Sequence, residues 1–187
     1  MTWGRTQKLT AWIAGLALGA SVVVFGLLRA EPVSLLPEPT VGTTAPAFSL
    51  PDLDGQSISL ARLRGHAVLI NFWTSWCPYC RAETASLVSL HSTCDRLTVL
   101  GVAVEAPEDR VARFADHAGI GYPILMDPSG SVAVRYGATY LPTSVLITPQ
   151  GRIAWIRHGA FTNADQALTL VDRRLHDICS ARNGSHG

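Results

Sequence analysis

Residues 67–80 read Ala67-Val-Leu-Ile-Asn-Phe-Trp-Thr-Ser-Trp-Cys-Pro-Tyr-Cys80, an apolar run that two cysteines follow. The first seven residues are β-prone and almost uninterrupted by polar groups, which is typical of a strand buried on both faces. Apolar residues near helical spacing predict a helix over 81–91. The stretch therefore predicts a central strand, a Cys-x-x-Cys turn and a helix, in that order.

The remaining pattern surrounds this strand with further strands and helices. Short alternating runs at 47–50 and 56–59 flank a turn and predict a β-hairpin. Downstream, the pattern predicts strands at 97–104, 122–126, 143–148 and 152–157, and helices at 107–117, 131–136 and 165–178. The order predicts an α/β fold whose central sheet has helices on both faces.

The N-terminal segment has the pattern of a targeting signal. Arg5 and Lys8 precede an apolar run over 10–28, which Arg29 closes. About 19 residues nearly span a hydrocarbon core about 30 Å thick, whereas the apolar part of a cleaved signal peptide has about 7–15. We therefore expect residues 1–29 to form a signal anchor and transmembrane helix, with a cleaved signal peptide as the alternative. Flanking positive charge places the N-terminus in the cytoplasm and the remainder in the periplasm or outside.

The rest of the chain divides into three parts. Residues 30–41 hold three prolines and no periodicity, so they predict an extended linker. Residues 42–180 have the size of one compact domain, and 181–187 form a tail that we expect to be flexible. A formal net charge of +1 gives no reason to expect a nucleic-acid partner. We expect a monomer.

The Cys77-Pro-Tyr-Cys80 motif falls where a strand ends and a helix begins. A helix N-terminus offers free N–H groups and a positive dipole end, which favour a thiolate. Cys77 is therefore the predicted exposed nucleophile, and Cys80, on the same helical face, can close a disulfide with it. Pro78 suits the first helical turn because its missing N–H has no helical partner there. This chemistry requires no cofactor.

Two other interpretations of the pair remain open at this point. Paired thiolates at this spacing also form half of a zinc site. However, neither Cys94 nor Cys179 forms a second pair, so we expect no metal. A purely structural bridge between Cys77 and Cys80 would close too short a loop to constrain much of the unfolded chain.

A second motif, Tyr140-Leu-Pro-Thr-Ser144, comes immediately before a predicted strand. Proline fixes a tight turn there and removes a backbone donor, and its peptide bond can be cis. An ordinary loop proline is the alternative on local evidence.

Together these motifs resemble the thioredoxin superfamily, in particular its TlpA/ResA-like branch of membrane-anchored bacterial disulfide reductases. The resemblance runs from about 42 to 178 and depends on the segments Gly42-Thr-Thr-Ala-Pro-Ala-Phe-Ser-Leu50, Leu63-Arg-Gly65, Asn71-Phe-Trp-Thr-Ser-Trp-Cys-Pro-Tyr-Cys-Arg-Ala-Glu83 and Leu141-Pro-Thr143. It implies a thioredoxin-like fold, with a central mixed sheet flanked by helices and an N-terminal β-hairpin extension.

The resemblance also assigns roles to residues around the cysteines. It implies that Pro142 is cis and packs against the pair, and that the Leu141 backbone pairs with a bound substrate strand. Further predicted substrate contacts come from Trp76, Pro78, Tyr79 and Thr143.

Position 71 departs from the thioredoxin pattern, since thioredoxins carry a buried aspartate where this chain has Asn71. Asparagine cannot take the proton of Cys80, whereas the branch has a glutamate at the position of Glu83. If Glu83 is partly buried, its pKa would be raised to suit that work; a solvated surface carboxylate is the alternative.

The other two cysteines lie near the ends of predicted helices that share one face of this fold. A structural disulfide between Cys94 and Cys179 is one interpretation, and two separate thiols or a second redox pair are the others.

The sequence favours an oxidoreductase that reduces disulfides of exported proteins. By resemblance, apocytochrome c is a candidate target and a membrane thiol-transferring protein the electron donor. The Pro-Tyr dipeptide leaves the direction open, so a disulfide-forming oxidant is the first alternative. A thiol peroxidase and a metal- or haem-assembly binding module are the others, although Ile70 and Pro78 depart from the peroxidase motif.

Overall fold

A mixed β-sheet lies at the centre of the computed structural model, which describes residues 39–176, 178 and 179. The predicted signal anchor (1–29), most of the predicted linker (30–38) and the predicted tail (181–187) lie outside these residues. Within them, no helix is both long enough and apolar enough to cross a membrane.

The secondary structure follows the predicted order. An antiparallel hairpin of β1 (Ser49–Pro51) and β2 (Ser57–Ser59) leads into a 3₁₀ helix (Leu60–Leu63). The sheet strands are β3 (Ala67–Trp73), β4 (Leu97–Val104), β5 (Ile124–Asp127), β6 (Thr143–Ile147) and β7 (Ile153–His158). The helices are α1 (Pro78–Thr93), α2 (Glu108–Ala118), α3 (Ser131–Arg135) and α4 (Ala164–Leu175).

The five sheet strands lie in the order β5-β4-β3-β6-β7. Strand β3 pairs parallel with β4, and β4 with β5, whereas β6 is antiparallel to both β3 and β7. The predicted α/β fold with a central mixed sheet is confirmed. Strand β3 is central, so the cysteine motif that follows it starts from the most enclosed part of the sheet.

Both faces of β3 are covered, as its uninterrupted apolar run predicts. Side chains alternate along a strand, so Leu69 points to the face where α1 and α4 pack, while Ile70 points to the face that α3 and the segment around Phe48 cover. The same alternation directs Asn71 towards the α1 side. A polar side chain is therefore placed in the core directly beneath the first turns of α1.

Several predicted boundaries are wrong by a few residues, and two have a clear cause. Helix α1 begins at Pro78, not after the second cysteine, because Cys77 caps its N-terminus. Helix α4 ends at Leu175, not at residue 178, because His176 adopts a left-handed φ of 55° and its N–H donates to the Asp172 carbonyl.

The chain after α4 returns to α1 and is joined to it covalently. Cys94, the C-cap of α1, forms a disulfide with Cys179, 85 residues later. The backbone N–H of Cys179 donates to the Asp172 carboxylate at 2.7 Å. The predicted structural disulfide is present, and it joins the ends of two helices that already pack against each other.

This disulfide should stabilise the domain without taking part in its chemistry. In a background where Cys77 and Cys80 are replaced by alanine, adding Cys94→Ala and Cys179→Ala should lower the free energy of unfolding by roughly 2–4 kcal/mol, because the unfolded chain regains the freedom that a long closed loop removes. Urea unfolding of both proteins measures the difference. A non-reducing peptide map that shows free Cys94 in the wild type would contradict the bridge itself.

Candidate active site

The two remaining cysteines lie at the junction between β3 and α1. Cys77 is the N-cap of α1 and Pro78 is its first residue. The backbone N–H of Cys80 donates to Sγ of Cys77 at 3.3 Å, so the sulfur occupies the place of a capping oxygen. The sulfur thus faces a backbone donor at the positive end of the helix dipole.

The loop before β6 completes the surroundings of Cys77. The Leu141–Pro142 peptide bond is cis, as the resemblance implies. The Leu141 carbonyl lies 3.7 Å from Sγ of Cys77 and accepts a hydrogen bond from the thiol. The predicted substrate-pairing backbone therefore lies directly beside the nucleophile.

Cys77 is less exposed than the sequence predicts, at only 6% of its surface. Its neighbours in the motif are exposed instead: Trp76 at 66%, Tyr79 at 72%, and Pro78 between the cysteines. The predicted substrate-contacting side chains Trp76, Pro78 and Tyr79 therefore lie at the surface next to a largely buried sulfur.

Cys80 lies deeper, with 2% of its surface exposed. Burial raises the pKa of its thiol well above the ordinary range, and the hydrogen bond with Cys77 adds to the increase. A backbone hydrogen bond at Thr74 opposes this, whereas negative charge on Cys77 or Glu83 raises the pKa further. Cys80 is thus held as a neutral thiol and must lose its proton before it can attack a disulfide.

Glu83 is fully buried one turn after Cys80, which excludes the surface alternative. Burial raises the pKa of its carboxyl from 4.5 to about 7. The Phe161 backbone N–H and the Asn71 side chain, each donating to the carboxylate, limit that increase, as does the positive charge of Arg157. The result is a buried carboxyl group that can exchange a proton near neutral pH.

Asn71 holds this carboxyl from the strand below. Its Nδ2 donates to Oε1 of Glu83 at 2.8 Å and to Oγ of Ser144 on β6 at 3.0 Å. Both amide protons are therefore used. Thioredoxins have their buried carboxylate at this strand position. Here the strand has the donor Asn71, and the carboxylate, Glu83, comes from the helix.

A third support for the Glu83 carboxyl comes from the loop after β7. Arg157 donates to the carbonyls of Gly159 and Ala160, at 3.2 and 3.0 Å, and its guanidinium lies over the Phe161 ring. These contacts fix the loop that directs the Phe161 N–H at Oε2 of Glu83, 2.9 Å away. No local motif marks Arg157, because its role depends on a residue far away in the sequence.

The side chain of Thr143 turns into the protein. Its side chain is fully buried, and its hydroxyl donates to the Tyr140 carbonyl at 2.6 Å and lies 3.0 Å from Nδ1 of His158. Because the hydroxyl proton goes to Tyr140, the histidine Nδ1–H is the donor in the second contact. The Thr143 side chain therefore orders the loop around Pro142, and the predicted substrate contact of Thr143 stays a prediction.

The chemical capacity of the site follows from these groups. It holds two free thiols, one at a helix N-terminus and one buried, next to a carboxyl with a near-neutral pKa. Among the described residues, no group of three or more His, Cys, Asp or Glu side chains is placed to hold a metal ion. A nucleophilic thiol, a resolving thiol and a proton acceptor are the requirements of thiol–disulfide exchange.

Comparison with known proteins finds the same chemistry. The model of the AhpC/TSA family matches residues 41–156. The chain is 36% identical over 127 residues to thiol-disulfide oxidoreductase ResA of Geobacillus thermodenitrificans, a match covering 67% of this chain and 73% of that protein. It is 32% identical over 125 residues to ResA of Bacillus subtilis, covering 66% and 70%.

Solved structures with the same fold carry related descriptions. A thiol:disulfide interchange protein of the thioredoxin family from Chlorobium tepidum superposes with a TM-score of 0.64 at 28% identity, covering 71% of this chain and 95% of that one. A secreted Mycobacterium tuberculosis disulfide oxidoreductase homologous to E. coli DsbE superposes with a TM-score of 0.60 at 26% identity, covering 68% and 93%.

The buried carboxyl should make stability depend on pH. The pKa of Glu83 is about 7 in the folded protein, whereas an unperturbed glutamate, as in the unfolded chain, has a pKa of 4.5. Between these two pH values the folded protein therefore binds more protons than the unfolded protein. Stability should fall as pH rises through that window, by about 3 kcal/mol at 1.36 kcal/mol per pH unit. Glu83→Gln should remove this pH dependence of the free energy of unfolding. Urea unfolding at a series of pH values from 4.5 to 8 measures it.

The exposed Glu108 on α2 offers the matched control, since Glu108→Gln removes the same charge at the surface and should retain the slope. An unchanged slope in Glu83→Gln would contradict the assignment of the near-neutral pKa to Glu83.

Proposed function

Since the chain belongs to the AhpC/TSA family and is a thiol–disulfide oxidoreductase of the ResA type, we propose that it reduces disulfides of exported proteins outside the cytoplasm. The observation that carries the proposal is the pair of free thiols of Cys77 and Cys80 beside the buried carboxyl of Glu83.

The cycle begins at Cys77. Its thiolate attacks one sulfur of the substrate disulfide, the substrate S–S bond breaks, and a mixed disulfide forms between Cys77 and the substrate. The departing substrate sulfur takes a proton and becomes a thiol. The Leu141 backbone, beside Cys77 on the cis-proline loop, pairs with the extended substrate and aligns its disulfide with the attacking sulfur.

The second step depends on Cys80. Glu83 in its carboxylate form takes the Cys80 proton, and the resulting thiolate attacks Sγ of Cys77. The mixed disulfide breaks, the second substrate sulfur departs as a thiolate that takes a proton from solvent, and a Cys77–Cys80 disulfide forms, with the Cys80 proton left on Glu83. The substrate has then gained two electrons and two protons, and the protein has lost two electrons.

The electrostatics of the pair support the reductive direction. A dithiol protein becomes an oxidant when its reduced form is stabilised, as by a strongly favoured thiolate. Here burial and the nearby carboxylate disfavour a charged Cys80, so its thiolate contributes no such stabilisation.

The location outside the cytoplasm has two supports. Residues 1–29 have the composition and length of a signal anchor, which would leave a single-pass protein in the cytoplasmic membrane with residues 42–180 outside. The Cys94–Cys179 disulfide is of a kind that persists in oxidising compartments and is rare in the cytosol.

The proposed partners are based on the proposed location outside the cytoplasm and on the family resemblance. Regeneration of the Cys77/Cys80 dithiol needs a reductant, for which we propose a thiol-transferring protein of the same membrane. The oxidised cysteines of apocytochrome c are the proposed target, which places the protein in cytochrome c maturation.

The reduction potential of the Cys77/Cys80 couple tests the direction. We expect a value near that of thioredoxin, about −270 mV, and far from the value of about −120 mV of a strong oxidant. Equilibration with dithiothreitol mixtures, read by alkylation of the two thiols, gives the potential. Cys94 and Cys179 should remain bridged and serve as the internal control.

A potential near −120 mV would overturn the reductive direction. If the wild-type protein reduced a protein disulfide such as that of insulin no faster than Cys77→Ser does, the proposed function itself would be overturned. Rapid peroxide consumption by the reduced protein would indicate the peroxidase alternative instead.

A further inference from the structure

A groove of about 420 Å³ opens beside the nucleophile, on the side away from Glu83. Its walls include Trp76, Cys77, Glu105, Val134, Tyr140 and Leu141. Because Cys77 and Leu141 line it, a polypeptide that presents its disulfide to Cys77 can place neighbouring residues in this groove. The chemistry of the lining therefore constrains which residues can flank the reacting disulfide.

The lining carries one carboxylate and exposed aromatic surface. Among the described residues, no arginine, lysine or histidine lines the groove, and Glu105 is its one acidic group. The Glu105 carboxylate makes no hydrogen bond or ion pair within the described part of the chain. Trp76 and Tyr140, 66% and 74% exposed, lie in the same lining. A carboxylate near open aromatic faces is the combination that binds a cationic side chain.

Glu105 is held at this place by an unusual backbone. It lies just after β4 with φ of 47°, a left-handed conformation that is unfavourable for a residue with a side chain. Its N–H donates to the Asp127 carbonyl at 3.2 Å, which fixes the turn. Such outliers persist where the surrounding structure determines them, and they cluster at functional sites.

The side chain of Glu105 lies close to Gly130. A Cβ atom at Gly130 would lie 3.0 Å from Oε1 of Glu105, so the glycine leaves the carboxylate room at this place. Gly130 precedes α3, whose first N–H groups the buried Asp127 carboxylate binds, at 3.0 Å for Val132 and 2.9 Å for Ala133. The wall that carries Glu105 is therefore anchored to β5 and does not depend on a mobile surface loop.

From these observations we propose that Glu105 selects polypeptide disulfides that carry a lysine or arginine next to the cysteine attacked by Cys77. The inference rests on the proposed function and names the substrate class of the same site. A cation in the groove contacts the carboxylate and the aromatic faces together, whereas an acidic residue there places like charges side by side. Glu105 acts on substrate choice and takes no part in bond making or breaking.

The test uses synthetic peptides with one intramolecular disulfide that differ only in the residues flanking one cysteine, which are arginine, glutamine or glutamate. Pre-reduced protein is mixed with each peptide, and the second-order rate constant of reduction is measured in a single turnover. Each value is divided by the rate constant with which dithiothreitol reduces the same peptide. Dithiothreitol also attacks as a thiolate but has no groove, so the division removes the intrinsic differences in peptide reactivity.

For the wild type, the corrected rate constant of the arginine peptide should exceed that of the glutamate peptide by about tenfold. A partly exposed ion pair together with a cation–π contact supplies a preference of this size. Glu105→Gln should reduce the ratio to about twofold, and Glu105→Lys should reverse the preference. Glu108→Gln, which removes an acid three residues away outside the groove, should leave the wild-type ratio. Raising the ionic strength to about 1 M should reduce the ratio in the wild type.

The inference would be overturned by a corrected ratio near one in the wild type, or by a ratio that Glu105→Gln leaves unchanged. If all three peptides were still reduced rapidly, the proposed function would remain intact. If the wild type reduced none of the peptides faster than Cys77→Ser does, both the inference and the proposed function would be overturned.

Discussion

The Glu83 carboxylate accepts hydrogen bonds from the Asn71 side chain and from the Phe161 backbone, and these two contacts join three distant segments of the chain inside the core. Burying an ionised carboxylate costs free energy unless the carboxylate is fully hydrogen-bonded. The pKa of Glu83, about 7, means that its protonated and ionised forms are about equally populated near neutral pH. That balance is useful next to Cys80, whose raised pKa makes it a poor nucleophile without a proton acceptor. The surrounding structure holds Glu83 one turn after this thiol on the same helix.

The same contacts couple the carboxyl to the substrate side of the site. The loop that directs the Phe161 N–H at Glu83 also donates from Gly159 to the carbonyl of Pro142, at 2.8 Å, and Arg157 fixes it by two further carbonyl contacts. Asn71 likewise reaches Ser144, one residue beyond Thr143 on the strand that the cis-proline loop enters. The proposed proton acceptor and the proposed substrate-pairing loop are thus joined by hydrogen bonds, while the Cys94–Cys179 disulfide joins the two helices behind them.

Sequence reasoning succeeded where a short-range pattern carries the information. The apolar, β-prone runs gave β3 and β4 with their observed ends, and the Cys-x-x-Cys motif located the site. The predicted ends of α1 and α4 are wrong, because Cys77 caps α1 and His176, in a left-handed conformation, ends α4.

The sequence does not determine the burial of Glu83, and it does not single out Arg157 or Glu105, because these positions depend on contacts between segments far apart in the chain. Thr143 shows the same limit, since its position in a motif did not reveal that its hydroxyl turns inward.

The central claim is that Glu83 removes the proton from Cys80, and the most direct measurement isolates the step in which Cys80 attacks. When the reduced protein reacts with an aromatic disulfide reagent, the first chromogenic thiol is released by Cys77 and the second by Cys80, so stopped-flow absorbance resolves the two phases. The account predicts that the second phase of the wild type accelerates as pH rises through about 7, the pKa of Glu83. In Glu83→Gln this phase should be slower by about 100-fold, a typical contribution of a general base, while the first phase is retained. A second phase with the wild-type rate and pH profile in Glu83→Gln would contradict the account.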